Sequence, residues 1–206
     1  MEDALAELLH ELEEFGSTND AATDDRSRKM LNITHDTGVF LALLVKASKA
    51  QKVLEIGTSN GYSTLWLADA VGEDGSVTTI EQAPHKRAMA ERNFQRAGLR
   101  PRIQQIEDEA GRFIATCDAG AYDFIFLDSD RGQYADWWPS LQRILADGRL
   151  LVVDNAISHA HQLEDFNRLV AASDGYLSSL SPIGKGELVI LKEDTERALV
   201  QETLPS

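Results

Sequence analysis

Apolar positions recur along this chain in two periods. "EDALAELLHELEEF" near the start carries Leu5, Leu8, Leu9, Leu12 and Phe15 at helical spacing, and "GSTNDAATDD" after it reads as a break. A second helix is predicted over 37–49, with Val39, Phe40, Leu43 and Leu44 on one face. From there, short apolar runs alternate with helical stretches. "KVLEIG" (52–57) is a strand that stops at glycine; a helix follows from Ser63 through Ala70, then the turn "GEDG" and the strand "SVTTIE" (76–81). "PHKRAMAERNFQRAG" (84–98) has proline in its first turn and Gly98 after its end, the usual asymmetry of helix termini. A strand near 102–107, a helix near 109–116 and a strand over 122–128 come next. A helix containing "WWPSLQRIL" leads to the strand "GRLLVVDN" (148–155), "FNRLVAAS" is helical, and "GYLSSLSPIGKGELVILK" reads as a hairpin.

Strand alternating with helix predicts an α/β fold. The sheet should be seven-stranded and mostly parallel, with helices on both faces and a C-terminal antiparallel hairpin at one edge. In such sheets ligands bind beyond the carboxyl ends of the strands. That rule singles out the residues following Ile56, Ile80, Leu127 and Val153.

Composition narrows the class. The 206 residues suffice for one α/β domain with a buried core, and 43% apolar content is too high for a disordered chain. Apolar runs such as "FLALLV" fall far short of the roughly 20 residues of a membrane span, and no basic segment precedes an apolar one at the start. A cytoplasmic protein is the expectation. A single cysteine, Cys117, excludes an intrachain disulfide and a multi-cysteine metal site. Nine acids precede the first basic residue, Arg26, and account for nine of the fourteen net negative charges. They are expected on a solvated helix face. An acidic balance of this kind disfavours a nucleic-acid partner, which needs clustered Lys and Arg.

Four strand ends carry candidate chemistry. In "EIGTSNGYS", Gly57 and Gly61 bracket small polar residues, and Ser63 opens a helix. Glycine lets a flat or polar ligand approach the backbone closely, although a plain tight turn would need the same residues. Glu81, ending the second strand, could accept both hydroxyls of a ribose or stand as a solvated acid. Asp128 ends one core strand, and Asp154 with Asn155 ends another. If both strands are parallel, these side chains share one sheet edge. Two carboxylates and an amide oxygen, without His or Cys, suit a hard divalent cation such as Mg²⁺. Acids at strand ends could equally cap helices or pair with Arg131 and Arg149.

The segments "VLEIGTSNGYSTLWLA", "TTIE", "YDFIFLDSDRGQY" and "LLVVDNAI" together resemble those of the cation-dependent, class I S-adenosylmethionine O-methyltransferases, which include catechol and caffeoyl-CoA O-methyltransferases. The likeness runs from Leu31 to Lys192. It implies a single Rossmann-like methyltransferase domain over 1–206, with 1–30 an acidic N-terminal helical extension. It implies that Asp128, Asp154 and Asn155 hold the metal. Glu55, Gly57, Thr58, Ser59 and Ser63 would line the methionine and ribose part of the cofactor. Glu81 would bind the ribose hydroxyls, and Ala110 would lie by the adenine. Asn32 and Ile33 fall in the segment that closes over the cofactor, and Asp130 at a further cofactor contact. A small aromatic diol is the implied substrate, a homodimer the implied assembly, and no membrane is involved.

Two positions depart from the family pattern. Arg131 stands where the family usually has a lysine acting as general base, and arginine does not release its proton. Asp128 and Arg131 would then be the catalytic pair, with the cation activating the acceptor and Arg131 stabilising the oxyanion. His35, His159 and His161 are alternative bases, or ordinary surface histidines. Asp108 stands where a glycine is frequent on the adenine side. Trp137 and Trp138 could wall an aromatic substrate or fill the core. Two further functions stay open: a tRNA hydroxyuridine methyltransferase, and a cofactor-binding protein without turnover, which the arginine motivates.

Overall fold

In a computed structural model that describes residues 3–194, the five apolar runs become parallel strands. They are β1 (Lys52–Ile56), β2 (Ser76–Ile80), β3 (Ile103–Ile106), β4 (Tyr122–Leu127) and β5 (Leu145–Val153). The hairpin β6 (Tyr176–Ser181) and β7 (Glu187–Lys192) adds two antiparallel strands, giving the order β3-β2-β1-β4-β5-β7-β6. The expected seven-stranded, Rossmann-like sheet is present. Strand order reverses between β1 and β4, and a crevice at that point is where such sheets take ligands.

The helices are α1 (Asp3–Ala21), α2 (His35–Ser48), α3 (Tyr62–Ala70), α4 (Pro84–Arg96), α5 (Ala110–Thr116), α6 (Tyr134–Ile144) and α7 (Glu164–Ala171). Alternation along β4 sorts the core into two layers. Phe124 and Phe126 join Val53, Val77 and residues of α1 to α4, whereas Ile125 and Leu127 join Leu54, Ile56 and residues of α5 to α7. Trp137 and Trp138 belong to the second layer. Trp138 donates from Nε1 to Ser173 Oγ at 3.0 Å and packs edge-on against Phe166, so the core reading holds for it.

The structure differs from the pattern at two helices. α1 does not break at "GSTNDAATDD" but continues through Gly16 to Ala21. Gly16 is buried, and a Cβ there would run into the Asn32 side chain. The glycine serves close approach rather than termination, so tertiary contact overrides its low helix propensity. α2 buries Thr37, Gly38, Leu41 and Val45, while Val39 and Leu43 of the expected stripe are exposed. Gly38 turns that face inward because only a missing side chain fits against the Trp66 indole. The acids of α1 lie mostly on its exposed side, whereas Leu5, Leu8, Leu9 and Leu12 enter the core. Among the described residues no helix is long and apolar enough to cross a membrane.

Candidate active site

The loop after β1 is shaped by three residues with positive φ: Gly57 (116°), Ser59 (49°) and Gly61 (87°). Gly57 allows the loop to touch the end of β4, since a Cβ would collide with the Asp128 carbonyl oxygen. Gly61 abuts the Phe94 ring in the same way and opens α3. Ser59 adopts a backbone conformation costly for a non-glycine residue and is held there by two bonds. Its N–H donates to Glu81 Oε2 at 3.0 Å, and its hydroxyl donates to the Met30 carbonyl at 2.6 Å. Glu81 also accepts from the Ala83 N–H at 2.9 Å. Its carboxylate therefore ties the glycine loop to the end of β2, with lone pairs left over.

Glu55 points inward. It is fully buried and accepts hydroxyl hydrogens from Ser63 (2.5 Å), Thr79 (2.6 Å) and Thr64. Burial pushes its carboxyl up, and the three hydroxyls pull it only partly back. Thr58 Oγ1 lies 2.5 Å from Thr79 Oγ1 and extends this hydroxyl cluster. Glu55, Thr58 and Ser63 thus brace β1, β2 and α3 against each other.

Asn32 and Ile33 border a cleft of about 310 Å³ beside α1, which Glu13, Asp20, His35 and Lys185 also line. Asn32 donates to the Leu12 carbonyl at 3.0 Å, and its Oδ1 is buried without a partner. Asp20 fastens this segment, accepting from the Met30 and Leu31 N–H groups at 2.7 and 2.8 Å. On the other side of the sheet, Ala110 is buried at the start of α5, which Glu109 caps through the Gly111 and Arg112 N–H groups, both at 2.7 Å. Asp108 accepts from the Glu109 N–H at 2.8 Å and pairs with Arg112 at 3.3 Å. Asp130 caps the turn that holds Arg131, accepting from the Gly132 N–H at 3.1 Å and Gln133 Nε2 at 3.2 Å.

The oxygen cluster lies at the ends of β4 and β5. Residues 127 and 153 are register partners, and the Asp154 N–H donates to the Leu127 carbonyl at 3.1 Å. Asn155 takes the left-handed conformation (φ 64°), which asparagine tolerates better than most residues, and this turns its amide back over the cluster. Its Nδ2 donates to Asp154 Oδ2 and reaches Asp128 Oδ1 at 3.4 Å. Burial, and then the neighbouring Asp154, drive the Asp128 carboxyl well above its usual range, with Arg131 opposing. Arg131 is itself buried, and its Nε has no hydrogen-bond partner. Arg149 plays no part here: it donates to the Ser48 carbonyl at 2.6 Å and sits 3.7 Å from Asp123.

This donor set fits a hard cation. The Asn155 Oδ1 now accepts from Ser158 Oγ at 3.3 Å. A half-turn of the amide would present Oδ1 to the point that the two carboxylates face and hand the NH₂ to Ser158. Among the described residues no group of three or more His, Cys, Asp and Glu side chains is arranged to hold a metal, so a cation at this point would need the amide oxygen as a further donor.

Pattern reading missed Glu187. It opens β7 directly across from Asp154, is fully buried, and accepts from Thr37 Oγ1 of α2 at 3.0 Å. Burial and the adjacent Asp154 push its carboxyl up to about 10. The signal was a lone acid heading the apolar run "ELVILK". Of the three histidines, His35 pairs with Glu13 at 3.3 Å beneath α1, and His161 lies in a short turn. His159 Nδ1 is 2.9 Å from Ser158 Oγ, which connects it to Asn155. Partial burial, and then the charges of Arg131 and Arg26, hold the His159 imidazole below its ordinary value.

Comparison with known proteins identifies the family. A family model described as O-methyltransferase matches residues 3–175. A catechol O-methyltransferase of Mycobacterium tuberculosis is 36% identical over 137 residues, which is 66% of this chain and 62% of the relative. A catechol O-methyltransferase of Niastella koreensis is 33% identical over 141 residues, with the same shares. The matched region thus spans 62% of the length of these curated relatives. The crystal structure of cofactor-bound Rv0187 from MTB superposes with a TM-score of 0.77 at 27% identity, covering 95% of this chain and 92% of that one. With a family model spanning most of its length, this chain belongs to the O-methyltransferase family.

Proposed function

We propose that the protein is an S-adenosylmethionine-dependent O-methyltransferase that takes a small vicinal diol, catechol-like in kind, and works with a divalent cation at Asp128, Asp154 and Asn155. The observation that carries this reading is the Asp128–Asn155–Asp154 cluster, with Asp154 and Asn155 buried and Asp128 half-buried, joined through Gly57 to the loop after β1. Relatives that are catechol O-methyltransferases and a cofactor-bound structural neighbour support the same reading.

The glycine loop and Glu81 would hold the nucleoside end of the cofactor, with Asn32 and Ile33 closing from the side of α1. When bound, the cation would lower the pKa of an acceptor hydroxyl and fix its orientation. Methyl transfer breaks the sulfonium C–S bond, forms a C–O bond, and leaves neutral S-adenosylhomocysteine and the released hydroxyl proton. Arg131 stays charged throughout, so its part is electrostatic: it stabilises negative charge developing on the acceptor oxygen. His159, linked to the cluster through Ser158, is the histidine best placed to receive the proton.

Labelled S-adenosylmethionine, a catechol panel and Mg²⁺ test the proposal. Transfer that EDTA abolishes is the expected result. Cofactor binding with no transfer to catechols or to bulk tRNA would instead mark a binding protein, the reading that the buried arginine favours. Arg131→Lys should raise the rate on catechols several-fold at pH 8 to 9; an unchanged or lower rate would show that Arg131 suits a different acceptor.

A further inference from the structure

Glu187 has no role in the cluster as derived so far, yet nothing about its setting is ordinary for a strand-opening glutamate. It is wholly buried, and β5 and β7 pair so that Val153 faces Leu188, which brings Glu187 beside Asp154. Its Oε1 accepts from Thr37 Oγ1, which in turn accepts from Thr34 Oγ1 at 3.1 Å. Its Oε2 is buried without any hydrogen-bond partner. The hairpin turn that precedes it is pressed into place on both sides. A Cβ at Gly184 would collide with Thr37 and Thr34, and one at Gly186 with Ile157. The carboxylate therefore has no room to swing to solvent, and it remains next to another buried acid. Buried charges are retained where a partner offsets them.

We propose that Glu187 is a positioning residue of the cation site: an outer acid, wholly buried and anchored to α2 by Thr37, that packs beside Asp154 and braces it from behind. This inference rests on the cation reading above. Asp128, Asp154 and Asn155 supply the direct donors, whereas Glu187 fixes the orientation of Asp154 and strengthens the site for a small, highly charged ion. Outer partners of this kind are commonly worth 10- to 100-fold in metal affinity.

The test measures binding of the metal alone by calorimetry with Mg²⁺ and Mn²⁺, on full-length wild type, Glu187→Gln and Glu187→Asp. Glutamine keeps the shape and the Thr37 bond but replaces the carboxyl group; aspartate keeps a carboxyl group on a shorter stem. The expected result is a Kd about 10-fold or more weaker for Glu187→Gln, with part of the loss restored in Glu187→Asp. Thermal melts give a second readout. The metal-free Glu187→Gln protein should melt no lower than wild type, and its gain in Tm on adding Mn²⁺ should be smaller. Equal Kd values and equal gains in wild type and Glu187→Gln would overturn the role of Glu187 while leaving the cation site standing. A wild-type protein that binds neither ion would overturn both.

Discussion

The two ends of the crevice hold buried carboxylates in opposite conditions. Under the glycine loop, Glu55 is ringed by the hydroxyls of Ser63, Thr64 and Thr79 and extends its order to Thr58. At the tips of β4, β5 and β7, Asp128, Asp154 and Glu187 crowd one another with one amide, one hydroxyl and the Arg131 charge nearby. The first site is complete as a piece of architecture. The second crowds acids whose burial their neighbours offset only in part, so that the carboxyls of Asp128 and Glu187 are raised. That contrast separates a carboxylate whose oxygens are met by hydroxyls from acids left without enough donors, and burial alone would not have told them apart.

Substitution at each end should therefore act in opposite directions. Asp154→Asn should lower methyl transfer to a catechol acceptor about 10²- to 10³-fold, the scale of a lost metal ligand, while leaving the metal-free protein at least as stable in urea. A fall in metal-free stability would place Asp154 with Glu55 as a structural acid. Glu55→Leu should strand three buried hydroxyls and cost about 2–3 kcal/mol in urea denaturation, with the Kd for Mn²⁺ unchanged. A weakened Kd would join the two ends into one site.

The pH dependence of the metal-free protein gives a third test. The folded-state pKa of Glu187 is raised to about 10, and that of Asp128 is raised as well. A raised carboxyl holds a proton that the unfolded chain releases, so its favourable contribution is full in acid, below the unfolded pKa. It is lost as pH climbs toward the folded value. Urea midpoints in EDTA should fall between about pH 5 and pH 10, and Mn²⁺ should flatten the decline. The smallest effect belongs to the rim. Burial alone would raise the Asp20 carboxyl, but the Met30 and Leu31 N–H groups and Asn19 more than offset it, and its pKa is lowered. Its contribution is present above the unfolded pKa and lost as pH falls through the folded one. Asp20→Ala should cost about 1 kcal/mol and speed tryptic cleavage at Arg28 and Lys29, leaving both carboxylate sites intact.

Much of this was legible in the residue pattern. The strands needed only short apolar runs, and glycine and acid at their ends marked where a ligand would sit. Asp128 and Asp154 could be placed on one edge because parallel strands bring their carboxyl ends together. Other features were not legible. Gly16 reads as a break in any local window, yet α1 runs through it because the Asn32 side chain occupies the space a Cβ would need. Val39 and Leu43 have the spacing of a buried stripe but face outward, because Gly38 docks on Trp66 and sets the roll of α2.

By itself, then, the order of apolar and polar residues determined the seven strands, their alternation with helices, and the four strand ends that carry glycine or acid. These depend on periods of two and 3.6, which are properties of neighbouring residues. Only the tertiary structure decided that Glu55 turns into a ring of hydroxyls, that Arg149 serves Asp123, and that the pairing of β7 with β5 brings Glu187 to Asp154. Each of those outcomes depends on register and packing between segments far apart in the chain, and no local period encodes which distant side chain will fill a given space.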